Sequence, residues 1–427
     1  MIDDIRPPRP TKAKLAKKPA AAPEPKQEVD LPDLPEIMPP PPEVTIPIDE
    51  KGKSLLSKNP VKNLKNLHPK HWYNLSRTEK LLSLGSAFLI LVAVWLAAYF
   101  LFIRPSPEPI NNGVIKVHAQ AKPVTVEAPL TGLPIDPALA KRPITGIMIE
   151  NSDDARPQSG LQDAGVVYEA IAEAGITRFL GLFQDTRPAY IGPVRSLRPY
   201  YIDFFTPWDA SIAHVGGSPE ALSEIRSGGK DLDQFFNSGA YWRVDTRDAP
   251  HNVYTSFDKL DALNQSKGYT SSAPKSWTHK KDAPLKVPSA KTIDITVSSA
   301  DFNSHYDYDA KTNAYLRSEG GKPHLVTTSA ADTTGQQLHP KVVIALVLPL
   351  SSGELDASGA YYSDYTTSGS GNVYVFQDGG VVQGTWEKAD RPSQFVFKDS
   401  AGNVIKLDAG QTWLVAVSGD NMVSYAP

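Results

Sequence analysis

Residues 81–103 run for 23 positions without one charged side chain. At ~1.5 Å per helical residue the stretch reaches ~35 Å, enough to cross the hydrocarbon core of a bilayer. A helix apolar on every face over that length reads as a membrane span rather than a buried helix of a soluble domain. About 80 residues precede it, too many for a cleaved signal peptide. Trp95 and Tyr99 lie toward its C-terminal half, with Tyr99 at the level of an interfacial aromatic belt.

Charge around the span sets its direction. Between residues 51 and 80, eight Lys and Arg stand against one acid, Glu79, while Arg104 is followed by Pro-Ser-Pro-Glu-Pro. The positive-inside rule then places residues 1–80 in the cytoplasm and everything after residue 103 outside the membrane. Ser76 followed by Glu79 suits a capping box that opens the helix. The leader mixes Pro, Lys, Ala and acids, including four prolines at 39–42, and shows neither helical nor strand period. It reads as a disordered tail with polyproline II segments, either a ligand for a cytoplasmic partner or a solvated spacer. Its basic stretch beside the span suits contact with anionic lipid.

A net charge of −3 carries no basic excess, which argues against nucleic acid as a partner. With no cysteine there is no disulfide, thiolate metal site, iron–sulfur cluster or Cys nucleophile. The phosphate loop, the Gly-x-Ser-x-Gly elbow and the His-Glu-x-x-His zinc helix are all missing. Neither a cofactor nor a metal is expected from the nine histidines.

Residues 104–127 read as a linker, and the rest suits two domains by length. Over 128–285 short strands alternate with helical patterns, giving an α/β or α+β domain whose strand order stays open. Residues 144–149 and 210–215 read as strands, and a helix near 256–266 stops at Gly268. From 286 to 427 the chain turns to alternating Val, Tyr, Thr and Phe with Gly/Asp/Asn turns, so this domain should be mostly β. Strands are expected at 292–297, 342–348, 373–376, 395–397 and 413–417, with turns at Asp378-Gly379 and Gly402-Asn403 and a loop at 331–335.

Four clusters concentrate polar chemistry. Residues 166–183 suit a hairpin turning at Ala174-Gly175, with helix as the alternative. In either, the spacing of four puts Glu169 and Glu173 on one face, as an acid/base pair, a cation site or a face neutralised by Arg178. Arg195 and Arg198 flank Ser196 and could jointly grip an anion, or form structural salt bridges to acids such as Asp203. His214 opens the turn Gly216-Gly217-Ser218 before Pro219, where backbone N–H groups at a helix start can hold an anion; otherwise it is a hydrogen-bonded strand-end histidine. Arg247, His251 and Asn252 lie in an irregular loop that carries either function or ordinary surface charge.

Together these motifs resemble the YerB-like family of bacterial envelope proteins, whose domain (DUF3048) has no assigned function. The likeness begins at Pro129-Leu130-Thr131-Gly132-Leu133-Pro134. It continues through Arg156-Pro157-Gln158-Ser159-Gly160-Leu161, Val167-Tyr168-Glu169, Gly192-Pro193-Val194-Arg195-Ser196, His214-Val215-Gly216-Gly217-Ser218-Pro219 and Ala249-Pro250-His251-Asn252. Lys322-Pro323-His324, Gly384-Thr385-Trp386-Glu387-Lys388 and Gly410-Gln411-Thr412-Trp413 resemble its C-terminal domain. Family members are described as lipoproteins; with no cysteine here, the apolar helix would keep the same compartment by another route.

Three functions compete. A single-pass envelope protein could bind an anionic glycan, teichoic-type polymer or phosphorylated lipid headgroup through Arg178, Arg195, Arg198, Arg247 and the glycine turn. It could instead be a hydrolase or transferase using Glu169 or Glu173 with His214 or His251. Or it could be a non-enzymatic scaffold for wall machinery, with the β-rich domain as contact surface.

Overall fold

The computed structural model describes residues 76–103, 124–355 and 361–427. The expected tail over residues 1–75 and most of the expected linker lie outside the described residues. The chain divides into two units, Met1–Val114 and Ile115–Pro427.

In the first unit, α1 (Arg77–Ala98) starts directly after Ser76 and runs on as a π-helical turn over Tyr99–Ile103. Among the described residues it is the one helix long and apolar enough to cross a membrane.

The second unit is built on a nine-stranded mixed sheet. In chain order its strands, with those of a second sheet, are β1 (Thr145–Glu150), β2 (Val166–Glu173), β3 (Ile176–Phe183), β4 (Ser211–Ala213) and β5 (Thr292–Ile295). Then come β6 (Ser304–Asp309), β7 (Ala314–Glu319), β8 (Lys322–Pro323), β9 (Val342–Val347), β10 (Gly369–Gln377), β11 (Gly380–Lys388), β12 (Val396–Asp399), β13 (Thr412–Val417) and β14 (Val423–Ala426). The large sheet runs β12-β11-β10-β9-β13-β2-β3-β1-β4, and a five-stranded sheet runs β8-β7-β6-β5-β14.

The change of composition near residue 286 does not divide the large sheet. Parallel pairing of β13 with β2, Thr412 opposite Val166 and Val415 opposite Glu169, joins strands from the two sides of it. Both are wholly or almost wholly buried, which their near-continuous apolar sequences require. A three-stranded sheet repeats the join: Gln158–Ser159 pairs in parallel with Leu325–Thr327, which pairs with Gln336–Gln337.

Residues 166–183 form the hairpin and not the helix; Ala174 and Gly175 turn it with φ of 49° and 82°. All five strands expected after residue 286 are present within a few residues, and Asp378-Gly379 closes the β10–β11 hairpin with φ of 57° and 71°. Among the helices beside the N-terminal strands are α2 (Pro199–Phe205), α3 (Pro219–Arg226) and α4 (Phe257–Lys267), the last ended by left-handed Gly268. The N-terminal half therefore mixes helix and strand, and the C-terminal half is mostly β.

Candidate functional site

Glu169 and Glu173 leave β2 on different faces. A bulge between Ile171 and Glu173 inserts Ala172 and breaks the alternation that their spacing implied. Glu169 accordingly reaches the Thr177 hydroxyl, 3.3 Å away, while Glu173 meets Arg178, the next residue along β3.

On the first face lies a buried polar network. Arg317 of β7 crosses between the sheets to Glu169, 2.8 Å, and also meets Glu319, 3.2 Å. The Trp413 indole donates to Glu169 at 3.0 Å and its ring lies 4.8 Å from the Arg317 guanidinium. Burial pushes the Glu169 carboxyl up despite Arg317 beside it, and the two glutamates outweigh burial to hold Arg317 charged. Arg317 donates to His324 Nδ1, and His324 Nε2 lies 2.9 Å from the Gln158 carbonyl, which assigns the proton to Nε2. Burial, then Arg317 and Arg156, hold that imidazole well below its usual range, so it is neutral. Glu169 is closed to any substrate.

On the second face, Glu173 takes Arg178 at 2.8 Å and pairs with Arg198. Arg195 pairs instead with Glu150 at the end of β1, 3.1 Å. The expected joint grip of Arg195 and Arg198 on an external anion is thus replaced by two internal glutamates. Asp203, the acid expected for them, pairs with Arg391. Ser196 contributes its carbonyl to Arg178 at 2.8 Å.

The glycine turn is also taken from within. Gly216 N–H donates to the buried Asp233 carboxylate at 3.0 Å, and Ser218 N–H donates to the Leu197 carbonyl at 3.2 Å. Ser218 Oγ caps α3 as expected, accepting from Ala221 N–H at 3.3 Å. Gly217 passes so close to the 195–198 segment that a Cβ would lie 2.9 Å from the Leu197 carbonyl oxygen. His214 is fully enclosed, with Nε2 3.0 Å from Asp231 and Nδ1 2.7 Å from the Gly216 carbonyl. Its side chain faces Asp231 and Asp233, not Glu169, Glu173 or His251.

His251 and Arg247 do meet a cleft. A cavity of about 1270 Å³ opens between the 153–157 turn, the 246–254 loop and the 319–335 hairpin, so both halves of the unit wall it. His251 Nδ1 lies 2.9 Å from Glu150 and 3.2 Å from the Ser152 hydroxyl. Arg247 donates to the carbonyls of Asp154 and Pro157, the latter at 2.7 Å, latching the two loops together. Asn252 braces its own loop, donating to the Val244 and Arg247 carbonyls, both 3.2 Å, and accepting from Arg243. On one wall Tyr190 stacks on Tyr254, ring centres 4.4 Å apart, and Arg156, Glu319, Lys322 and His324 line the other side.

The sequence singled out neither Glu150 nor Tyr190 as a site residue. Glu150 ends a strand that was expected, and a lone acid closing an apolar strand was the only signal available. Among the described residues no group of His, Asp or Glu is arranged to hold a metal ion.

These features define a two-part protein built on one shared sheet, with a polar cleft where the parts meet. The chain matches the family described as Protein of unknown function (DUF3048), its N-terminal domain over residues 130–270 and its C-terminal domain over 293–414, and it belongs to that family. It is similar to "Putative lipoprotein YerB" of Bacillus subtilis (strain 168), 30% identical over 309 residues, covering 71% of this chain and 86% of the relative. It is also similar to the crystal structure of the YerB protein from Bacillus subtilis, with a TM-score of 0.62 at 28% identity, covering 71% of this chain and all of that one.

Proposed function

We propose that this is an envelope protein held in the membrane by α1, its N-terminus cytoplasmic and its folded unit outside, and that the cleft binds a hydroxyl-rich surface glycan. The lipoprotein name of the relative supports the compartment. The apolar helix and its basic cytoplasmic flank support the anchor and its direction.

The cleft carries the ligand reading. Its half-buried Tyr190, backed by the buried Tyr254 ring, offers an aromatic surface to the C–H face of a sugar, and the guanidinium, imidazole and carboxylate groups around it suit hydroxyls as acceptors and donors. A strongly anionic polymer fits less well. Arg178, Arg195 and Arg198 are neutralised by glutamates, and Asp153, Asp154, Asp248, Asp301 and Asp332 line the cleft.

The test is calorimetry on the full chain in detergent micelles, with an N-acetylglucosamine hexamer against polyglycerol phosphate. The hexamer should bind, hold its affinity in high salt, and lose roughly tenfold with Tyr190→Ala. Binding of the polyanion alone, abolished by salt, would overturn the glycan reading.

A further inference from the structure

Two histidines line the cleft, and they are held differently. His324 is committed at both nitrogens, to Arg317 and Gln158. His251 is committed at one. Its Nδ1 faces Glu150 at 2.9 Å, while its Nε2 makes no hydrogen bond among the described residues and has Asp154, on a largely exposed side chain, 3.8 Å away. Glu150 is itself fixed, buried to 4% exposure between Arg195 at 3.1 Å and the Ser152 hydroxyl at 3.0 Å. A carboxylate anchored in this way accepts a hydrogen bond from Nδ1–H, fixes the ring and leaves a lone pair on Nε2 for the cleft.

We propose that Glu150 and His251 form a proton-transfer dyad and that the cleft hydrolyses O-acyl esters carried by its polyhydroxylated ligand; this rests on the glycan reading of the cleft. Nε2 takes a proton from water as the water oxygen bonds to the acyl carbon and the carbonyl pair moves onto its oxygen. The tetrahedral adduct collapses, the bond from acyl carbon to sugar oxygen breaks, and the proton on Nε2 passes to the departing alkoxide. The acid released gives its own proton to solvent. Glu150 stabilises the transient imidazolium. Lys322 lines the same cleft and has no ion pair among the described residues, so it is the cation open to the developing oxyanion.

Glu150 is sealed behind the imidazole and cannot itself flank a glycosidic bond, whereas the open Nε2 suits proton transfer to and from a water attacking an ester. Ser152 meets the same Nδ1 edge as Glu150, away from Nε2, so water and not this serine is the nucleophile. The charges around the ring are Glu150 on β1, Asp154 on the turn after it, Arg247 and Asp248 on its own loop, and Arg195 behind Glu150.

The experiment follows acetate release from an O-acetylated N-acetylglucosamine oligomer by the full chain in micelles, alongside binding of the unacetylated hexamer. His251→Ala should cut turnover at least ~100-fold, well beyond any weakening of hexamer binding measured on the same variant. Glu150→Gln should lower kcat with little change in KM, because the imidazole keeps its place in the cleft but loses the carboxylate that orients it. Thermal unfolding checks that each variant folds, with His251→Gln replacing the alanine variant if that one does not. A wild-type chain that binds the hexamer but releases no acetate would overturn the dyad and leave the binding reading standing. So would His251→Ala with unchanged turnover. Failure of the wild type to bind the hexamer at all would overturn the reading on which the dyad rests.

Discussion

Glu169 of β2 and Arg317 of β7 meet 2.8 Å apart with neither side chain exposed to solvent. One residue belongs to the large sheet and the other to the five-stranded sheet, and 148 positions separate them in the chain. The pair is a pin between layers, and its neighbours Glu319 and His324 reach the cleft wall.

Removing one partner should be costly. Arg317→Met leaves the buried Glu169 carboxylate without its cation and Glu319 with Arg156 alone, a loss of ~3–5 kcal/mol. The double variant Glu169→Leu, Arg317→Met should recover part of it, because no unpaired charge remains at Glu169. Equilibrium denaturation of the two variants and the wild type measures both, and a double variant less stable than Arg317→Met would contradict the argument.

Glu173 gives the fold an acid limit. Burial raises its carboxyl, but Arg178 and Arg198 outweigh burial and hold it below its ordinary value of 4.5. A carboxyl lowered in the folded state stabilises fully above the unfolded value and loses that contribution as pH falls through the folded one. Glu173→Gln should therefore be destabilised by about 3 kcal/mol at pH 7, with Arg178 and Arg198 deprived of this carboxylate, and should show a weaker decline below pH 4.5 than the wild type. Urea midpoints at pH 3.5 and pH 7 provide the comparison.

Local signals were readable from the sequence, and long-range ones were not. Ser218-Pro219 opens α3 and Gly268 ends α4 because caps depend on a few adjacent residues. The hairpin at Ala174-Gly175 is equally local. The two glutamates of β2 parted because a bulge at Ala172 leaves no mark in a spacing of four. The glycine turn did bind a carboxylate, but one supplied from Asp233, 17 residues further along. Arg195 and Arg198 found glutamates 45 and 25 residues upstream, pairings that only the sheet order decides.

That filled turn makes its own prediction. Asp233 accepts from Gly216 N–H at 3.0 Å and Phe235 N–H at 3.2 Å and pairs with Arg226 at 3.0 Å. Asp233→Ala should cost ~2–4 kcal/mol by stranding these donors. Inorganic phosphate should leave the wild-type Tm unchanged, since the Gly216 donor is occupied. A phosphate-dependent rise in wild-type Tm would restore the turn as an external anion site.

Asp408 sets an opposite pH dependence. Its side chain has no exposure, one oxygen pairs with Lys280, and Asp378 shares the same ammonium. Burial, with Asp378 adding to it and Lys280 opposing, pushes its carboxyl from 3.8 up to about 6. A carboxyl raised in the folded state contributes stability that is complete below the unfolded value and is lost as pH rises through the folded one. From this group alone the fold should lose about 1–2 kcal/mol between pH 5 and pH 7.5. Asp408→Asn keeps the shape but cannot ionise, so the stability difference between variant and wild type should shift in the variant's favour by that amount over the same interval. Urea denaturation of both proteins across pH 4.5 to 8 measures the slope, and a difference that stays flat would mean that Lys280, and not burial, governs Asp408.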